Sequence, residues 1–201
     1  MRTIFLDRDG VINENRPDYV KAWSEFRFLP RAVAALRRLT RHGFQIFVVT
    51  NQACVNRGLV GQAMIEEIHR RMVRCARDAG AMISEVRYCP HRSDEGCGCR
   101  KPQPGMLLAL AHERRLDLSG AYLVGDAMSD IAAGAAAGCR TALVLTGLGS
   151  QQRARPVTGG LQPSVIVGDL WDAVQWVLEQ EGVARAAVVG GAPFPTRRQA
   201  S

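Results

Sequence analysis

Short apolar runs alternate with helical patterns along this chain, and this alternation limits the folds that the chain can adopt. Strands are predicted at residues 3–6, 45–50, 83–88, 121–124, 141–145 and 165–167. Helical periodicity fills most intervals between them, at residues 29–43, 64–79, 105–115, 129–137 and 170–179. Strands and helices in this order form right-handed β-α-β crossovers. The sequence therefore predicts an α/β fold with a Rossmann-like parallel sheet and helices on both faces.

The length of 201 residues suits one domain with a proper core. We assign residues 1–182 to that domain and residues 183–201, which end in GGAPFPTRRQAS, to a flexible tail. The first residues run directly into a strand, and no apolar run is long enough to span a membrane. We therefore expect a cytoplasmic protein without a membrane partner.

The net charge of +7 and the isoelectric point near 9.5 are compatible with nucleic acid or with a small anionic substrate. A nucleic-acid surface usually interleaves basic residues with aromatic ones, and aromatic residues make up only 6% of the chain. The charge pattern therefore favours a small anionic substrate, and no nucleic-acid partner is expected.

Polar side chains stand where predicted strands end: Asp7 and Asp9, Thr50 and Asn51, and Asp126 and Asp130. In open parallel sheets, ligands bind beyond the carboxyl ends of the strands. Several carboxylates that meet at one edge repel each other unless a cation neutralises them. Oxygen ligands with open positions suit Mg²⁺, which commonly acts beside a substrate phosphate. If each pair of polar residues is considered alone, the alternative interpretation is that it forms a turn with no role in a functional site.

A cysteine-rich loop follows the third predicted strand. Its four candidate metal ligands are Cys89, His91, Cys97 and Cys99. Three cysteines and one histidine complete a tetrahedral Zn²⁺ site with no open position, so this zinc would be structural and would clamp the loop. Arg100 and Lys101 follow the last ligand directly, so the clamp would fix their direction. Incidental or buried cysteines are the alternative interpretation.

A zinc-containing nucleic-acid-binding module is the competing hypothesis from a different class. The basic charge and the Cys/His cluster favour it. The acid-bearing strand ends oppose it, because they would repel a phosphate backbone.

The order of these motifs resembles the haloacid dehalogenase-like phosphatases. The matching residues are the D-x-D-G stretch at 7–10, Thr50 after the second strand, Lys101 before a proline, and the G-D-x-x-x-D stretch at 125–130. The resemblance runs from about residue 3 to residue 147 in the family's order. It implies a phosphomonoester hydrolase with an aspartyl-phosphate intermediate.

The resemblance also implies a role for each matching residue. Asp7 would be the nucleophile, and Asp9 would be the general acid and later the general base. Thr50 would bind phosphoryl oxygens, and Lys101 would balance charge. Asp7, Asp126 and the backbone carbonyl of Asp9 would hold Mg²⁺.

The zinc loop resembles that of two groups within this family, one acting on a heptose bisphosphate and the other on histidinol phosphate. The stretches TNQACVNRG and RKPQPGML favour the first group. On this interpretation Asn51, Arg57 and Arg100 contact a small phosphorylated sugar, and a single chain acts as a monomer. The chain lacks an insertion large enough for a cap domain, so the loops 13–28, 51–60 and 89–101 should form the pocket walls.

The remaining polar and sulfur-containing candidates receive structural roles. Asp130 lies in the first turn of the predicted helix 129–137, where a carboxylate is favourable. It is expected to cap this helix or to support the metal ligands rather than to bind the metal itself. Three histidines are interpreted as surface or packing residues, namely His42, His69 and His112. Three cysteines are interpreted as small core residues, namely Cys54, Cys75 and Cys139.

Overall fold

The computed structural model describes residues 2–153 and 160–183. Within these ranges the strands are β1 (Arg2–Leu6), β2 (Phe44–Asn51), β3 (Ile83–Cys89), β4 (Tyr122–Gly125), β5 (Arg140–Val144) and β6 (Val165–Val167). They form one six-stranded sheet in the order β3-β2-β1-β4-β5-β6. All neighbouring strands are parallel. The predicted parallel α/β sheet is confirmed.

The helices of the described ranges connect these strands. They are α1 (Ala32–Arg41), α2 (Gln62–Asp78), α3 (Gly105–Arg114), α4 (Met128–Ala136), α5 (Gly149–Arg153) and α6 (Leu170–Gln180), with one 3₁₀ turn at Trp23–Glu25. Every helix and strand predicted from the periodicity is present. The 3₁₀ turn and α5 were not predicted, because neither short segment has an apolar repeat.

The central strand β1 shows how the two faces of the sheet are covered. Ile4 and Leu6 pack into a core that also contains buried residues of α1, α2 and α6. Phe5, between them in sequence, points to the opposite face and joins a core with residues of α3 and α4. This follows from the two-residue period of a strand. Because both faces are buried, the strand is a continuous apolar run.

The position of β1 creates the crevice for a site. The sheet continues to β2 on one side of β1 and to β4 on the other, so the order of strands reverses here. Leu6 lies opposite both Val48 and Val124 in the register. β1 and β4 therefore end within one residue of each other, whereas β2 continues to Asn51. Ligands of open α/β sheets bind at a point where the strand order reverses.

Two further sequence predictions concern the C-terminal tail and the absence of a membrane-spanning segment. Of the predicted tail, residues 183–201, only Val183 belongs to the described residues, so the domain boundary stays a prediction. In the described part of the chain, no helix combines the length and apolar character needed to cross a membrane.

Candidate active site at the end of the central strand

Three buried carboxylates meet at this crevice. Asp7 follows β1, Asp126 follows β4, and Asp130 lies in the first turn of α4. One oxygen of each lies within 4.8 Å of the others, as a shared metal ion would require. The sequence prediction that acids at different strand ends come together is therefore correct.

Lys101 is the cation at the centre of this cluster. Its Nζ lies 2.9 Å from Asp7 Oδ1 and 2.6 Å from Asp130 Oδ1. Nζ also donates a hydrogen bond of 2.7 Å to the Val49 carbonyl. The contact between Lys101 and Asp7 is an ion pair without a well-directed hydrogen bond, since Asp7 Oδ1 accepts none from a described residue. An oxygen buried in this way is available to a further cation.

The titration of the cluster reflects its burial and its excess of negative charge. Burial, together with the charges of Asp130 and Asp9, raises the pKa of Asp7 to about 6 against the opposing effect of Lys101. Burial and the Asp7 and Asp130 charges raise the pKa of Asp126 to about 8. Burial lowers the pKa of Lys101, but the negative charges of Asp130 and Asp7 outweigh this effect and raise the pKa above its usual range. The site therefore favours an added cation.

Two glycines enclose the Asp126 carboxylate. A Cβ atom at either Gly10 or Gly147 would lie 2.0 Å from Asp126 Oδ2, and both glycines have positive φ angles, +80° and +56°. The Leu148 N–H donates a 2.8 Å hydrogen bond to the same oxygen, and the Thr146 hydroxyl donates one of 2.6 Å to the Gly10 carbonyl. One oxygen of Asp126 is thus held by the protein, which leaves Oδ1 for a ligand.

The Asp9 side chain is held by a different set of partners. Arg8 Nη2 donates to Oδ1 at 3.0 Å and to Oδ2 at 2.9 Å. The Asn13 and Gln52 amides each donate a hydrogen bond of 2.8 Å. Burial would raise the pKa of Asp9, but Arg8 and the two amides outweigh it and lower the pKa below its ordinary value. In this arrangement Asp9 is a carboxylate.

The end of β2 supplies the next two side chains. Thr50 is buried, and its hydroxyl accepts a 3.0 Å hydrogen bond from the Gln52 amide. Asn51 uses both ends of its amide on the backbone of Lys101, accepting from N–H at 3.1 Å and donating to C=O at 3.0 Å. Asn51 therefore orients Lys101, a role that the sequence prediction of a substrate contact did not include.

These residues line one cavity of about 160 Å³. The loop 13–28, one of the predicted walls, contributes Asn15, Arg16 and Tyr19 to its lining. Trp23 stacks on Phe26 at 4.8 Å between ring centroids, which gives this loop an apolar anchor. The cavity brings together the predicted site residues Asp7, Asp9, Thr50, Asn51, Lys101 and Asp126.

The two predicted substrate arginines lie outside this cavity. Arg57 is exposed in the loop after β2, and its guanidinium has no partner among the described residues. Arg100 donates a 3.1 Å hydrogen bond to the His91 carbonyl. It lines a neighbouring cavity of about 370 Å³, whose lining also includes Lys101. Neither arginine belongs to the lining of the cavity that holds the carboxylates.

The cysteine loop has the geometry of a metal centre. The contacts of Cys99 Sγ are 3.2 Å to Cys89 Sγ, 3.5 Å to Cys97 Sγ and 3.3 Å to His91 Nδ1. These separations are too long for disulfides, whose sulfurs are bonded at about 2.05 Å. They approach the tetrahedral edge of about 3.8 Å that Zn–S bonds of about 2.3 Å produce. The predicted ligands therefore come together.

Several residues of the site were missed from the sequence. Arg8, Asn13 and Gln52 hold Asp9, and only their position beside the motif residues could have indicated them. His69 is not a simple packing residue, because it is buried and lies 2.9 Å from Arg8 Nη1. The interpretation of Cys75 as a core residue was wrong, since it is exposed on α2.

Aspartate pairs after β1 and β4 meet Thr50 of β2 and Lys101 of the loop after β3 at one end of the parallel sheet. This combination of fold and site is that of the haloacid dehalogenase-like hydrolases. A family model described as HAD-hydrolase-like matches residues 98–173.

Similar proteins indicate a narrower group. The D-glycero-beta-D-manno-heptose-1,7-bisphosphate 7-phosphatase of Bordetella bronchiseptica is 39% identical over 90% of this chain and 99% of its own length. That of Pseudomonas aeruginosa is 39% identical over 78% and 88%, respectively. The crystal structure of the B. bronchiseptica D,D-heptose 1,7-bisphosphate phosphatase with magnesium and phosphate superposes with a TM-score of 0.83, at 38% identity, over 90% of this chain and 99% of that one.

This chain belongs to the haloacid dehalogenase-like phosphatases, in the family of the heptose bisphosphate 7-phosphatases. It is therefore a phosphatase. The group acting on a heptose bisphosphate, which the sequence favoured over the histidinol phosphate group, is the one that these relatives support.

Proposed function

We propose that this chain hydrolyses the 7-phosphate of D-glycero-beta-D-manno-heptose 1,7-bisphosphate and leaves heptose 1-phosphate. The relatives from B. bronchiseptica, P. aeruginosa and Escherichia coli carry this activity and this anomer in their names. The observation that carries the proposal is the Asp7–Lys101–Asp130 cluster at the end of the central strand. A buried carboxylate beside a fixed ammonium can approach a phosphate dianion, which an isolated carboxylate would repel.

The first step transfers the phosphoryl group to the protein. A carboxylate oxygen of Asp7 attacks phosphorus, and the bond from phosphorus to the sugar oxygen breaks. The sugar oxygen takes a proton from Asp9, and an aspartyl phosphate forms on Asp7. Lys101 and the Thr50 hydroxyl are close enough to the cavity to bind the phosphoryl oxygens.

The second step uses Asp9 in its carboxylate form. Asp9 takes a proton from water, the water oxygen attacks phosphorus, and inorganic phosphate leaves Asp7. The contacts from Arg8, Asn13 and Gln52 favour this ionised form. In the first step, the negative charge of the bound phosphate raises the proton affinity of Asp9. One acid can therefore serve both steps.

A magnesium ion fits the buried carboxylates. Asp7, Asp126 and the backbone carbonyl of Asp9 would hold it, and it would neutralise charge on the transferring phosphoryl group. The support is chemical, because buried carboxylates with raised pKa values suit a hard cation, and Asp7 Oδ1 accepts no well-directed hydrogen bond from a described residue.

A structural zinc ion fits the second cluster. Cys89, His91, Cys97 and Cys99 would hold it with no position open to substrate. The zinc would keep the polar loop 89–101 folded, since most of that loop has little buried apolar surface. Arg100 and Lys101 depend on this loop for their positions.

The distal phosphate of the substrate would be bound by Arg57 and Arg100. Both carry permanent charges in loops beside the site, and guanidinium groups bind phosphate with strong charge-assisted hydrogen bonds. We propose that the protein acts as a monomer. We assign the catalytic unit to residues 1–182, without a nucleic-acid partner and in the cytoplasm.

Phosphate release with Mg²⁺ tests the proposal. The panel contains the beta and alpha heptose 1,7-bisphosphates and histidinol phosphate, and ³¹P NMR identifies which phosphate leaves. We expect the highest kcat/KM for the beta heptose bisphosphate, with heptose 1-phosphate as the product. A higher kcat/KM for histidinol phosphate, or loss of the 1-phosphate, would contradict the proposal.

A further inference from the structure

His69 lies on the buried face of α2 and reaches the guanidinium of Arg8. The histidine is 6% exposed, and Arg8 has no exposed surface. His69 Nε2 lies 2.9 Å from Arg8 Nη1. The two residues are far apart in sequence, so the contact joins α2 to the loop that follows β1.

The chemistry of arginine fixes the direction of this hydrogen bond. Arginine only donates, so His69 Nε2 must accept and the ring proton must lie on Nδ1. Burial, and then the charge of Arg8, lower the pKa of His69 to about 3. His69 is therefore a neutral acceptor across the physiological pH range.

The guanidinium of Arg8 also hydrogen-bonds the Asp9 carboxylate. Arg8 Nη2 donates to both oxygens of Asp9, and Arg8 Nε lies 3.3 Å from Oδ1. The guanidinium is planar and rigid. An acceptor that fixes Nη1 therefore also fixes the plane from which Nη2 and Nε reach the carboxylate.

We propose that His69 is a positioning residue, which holds Arg8 and through it sets the orientation of the Asp9 carboxyl toward the leaving oxygen. This inference rests on the proposed function, in which Asp9 is the general acid. Without His69, Arg8 Nη1 loses its acceptor in a buried position and the guanidinium reorients to find another. Asp9 then loses its fixed direction, while Asp7 and Lys101 keep theirs.

The dependence on the leaving group separates this role from a merely structural one. A sugar alkoxide must be protonated as it leaves, whereas p-nitrophenolate leaves without a proton. His69→Leu should lower kcat/KM on the heptose bisphosphate by about tenfold, a fraction of the full general-acid effect. It should leave kcat/KM on p-nitrophenyl phosphate within about twofold. The comparison uses kcat/KM because this ratio reports the steps up to release of the leaving group, before Asp9 acts as the base on water.

Two further variants make the comparison specific. His69→Gln replaces the acceptor nitrogen by an amide oxygen, so it should restore most of kcat/KM on the sugar phosphate. Met72→Ala removes a buried side chain one turn further along α2 and serves as the control for lost packing. It should lower the melting temperature but change kcat/KM on the two substrates by the same factor.

Asp9→Asn is measured in parallel, and it separates failure of this inference from failure of the proposed function. Selective loss on the sugar phosphate in Asp9→Asn and His69→Leu, with rescue by His69→Gln, supports the inference. Selective loss in Asp9→Asn but equal loss on both substrates in His69→Leu overturns the inference alone. No selectivity in the kcat/KM values of Asp9→Asn overturns both, because Asp9 would then not be the acid.

Discussion

Gly10 and Gly147 meet across the carboxylate of Asp126, although they lie in loops after different strands. A Cβ atom on Gly147 would lie 2.6 Å from the α-carbon of Gly10 and 2.0 Å from Asp126 Oδ2. The close approach leaves room for neither side chain. It links the D-x-D-G motif at the end of β1 to the loop after β5, so both loops position the carboxylate that we assign to Mg²⁺.

Gly147→Ala should therefore weaken the response to magnesium. The new methyl group would displace Asp126, and positioning groups of metal ligands typically change affinity by about tenfold to a hundredfold. We expect the Mg²⁺ concentration for half-maximal activity, and the Kd from calorimetry, to rise by about tenfold. Gly138→Ala is the matched control, because Gly138 also has a positive φ angle but has no neighbour near its Cβ position. An unchanged Kd in Gly147→Ala would contradict the assignment.

The effect of magnesium on stability should grow with pH. The folded pKa values of Asp7 and Asp126, about 6 and about 8, lie above the ordinary carboxyl value of 3.8. Their contribution to stability is therefore fully present below that ordinary value and is lost as pH rises through about 6 and about 8. Mg²⁺ binds the ionised form, so it should raise Tm by about 5 °C or more at pH 8 and much less at pH 5.

Two variants check that the cluster causes this pH dependence. Asp126→Asn should remove most of the Mg²⁺ effect at pH 8. Asp117→Asn changes an exposed carboxylate that accepts hydrogen bonds from Ser119, away from the cluster, and should keep the effect. A rise in Tm with Mg²⁺ that is equal at both pH values would show that the cluster does not bind the ion.

The zinc loop should carry about one zinc ion per chain after purification in reducing buffer without added metal. Cys97→Ser removes one ligand, so zinc content and Tm should both fall. Activity should fall with them, because Arg100 and Lys101 lose their fixed loop. Cys75→Ser changes an exposed cysteine outside the cluster and should change none of these. Elemental analysis that finds no zinc in a fully active protein would refute the assignment.

Arg57 should discriminate between a substrate with one phosphate and a substrate with two. Loss of one charge-assisted phosphate contact in Arg57→Ala should lower kcat/KM for the heptose bisphosphate by about tenfold or more. The effect on a heptose 7-monophosphate should be smaller. Arg74→Ala removes an exposed arginine of α2 and is the control. Equal losses on both substrates would show that Arg57 does not contact the distal phosphate.

The sequence predicted the sheet and the meeting of its polar strand ends, because both depend on local periodicity and one topological rule. Asp7 and Asp126 could be placed at one edge without knowing a single contact. The strand pattern could not reveal that Asn51 pairs with the Lys101 backbone, since that contact depends on how the cysteine-rich loop 89–101 returns to β2.

The contact of His69 with Arg8 shows the same limit. The helical period places His69 on the buried face of α2, next to Ile65, Ile68 and Met72. Periodicity therefore indicates burial, but it cannot identify the partner that makes burial of an imidazole tolerable. That partner lies on another element and is found only when the helix is packed on the sheet.

The proposed reaction passes through a phosphorylated form of Asp7, which can be trapped. The wild-type protein is mixed rapidly with heptose 1,7-bisphosphate and Mg²⁺, quenched in acid within one turnover, and digested for mass spectrometry. We predict one added phosphoryl group on the peptide that contains Asp7, and none in a folded Asp7→Asn protein that has also lost turnover. Substantial Mg²⁺-dependent turnover in Asp7→Asn, or a phosphoryl group trapped on another residue, would show that Asp7 is not the nucleophile.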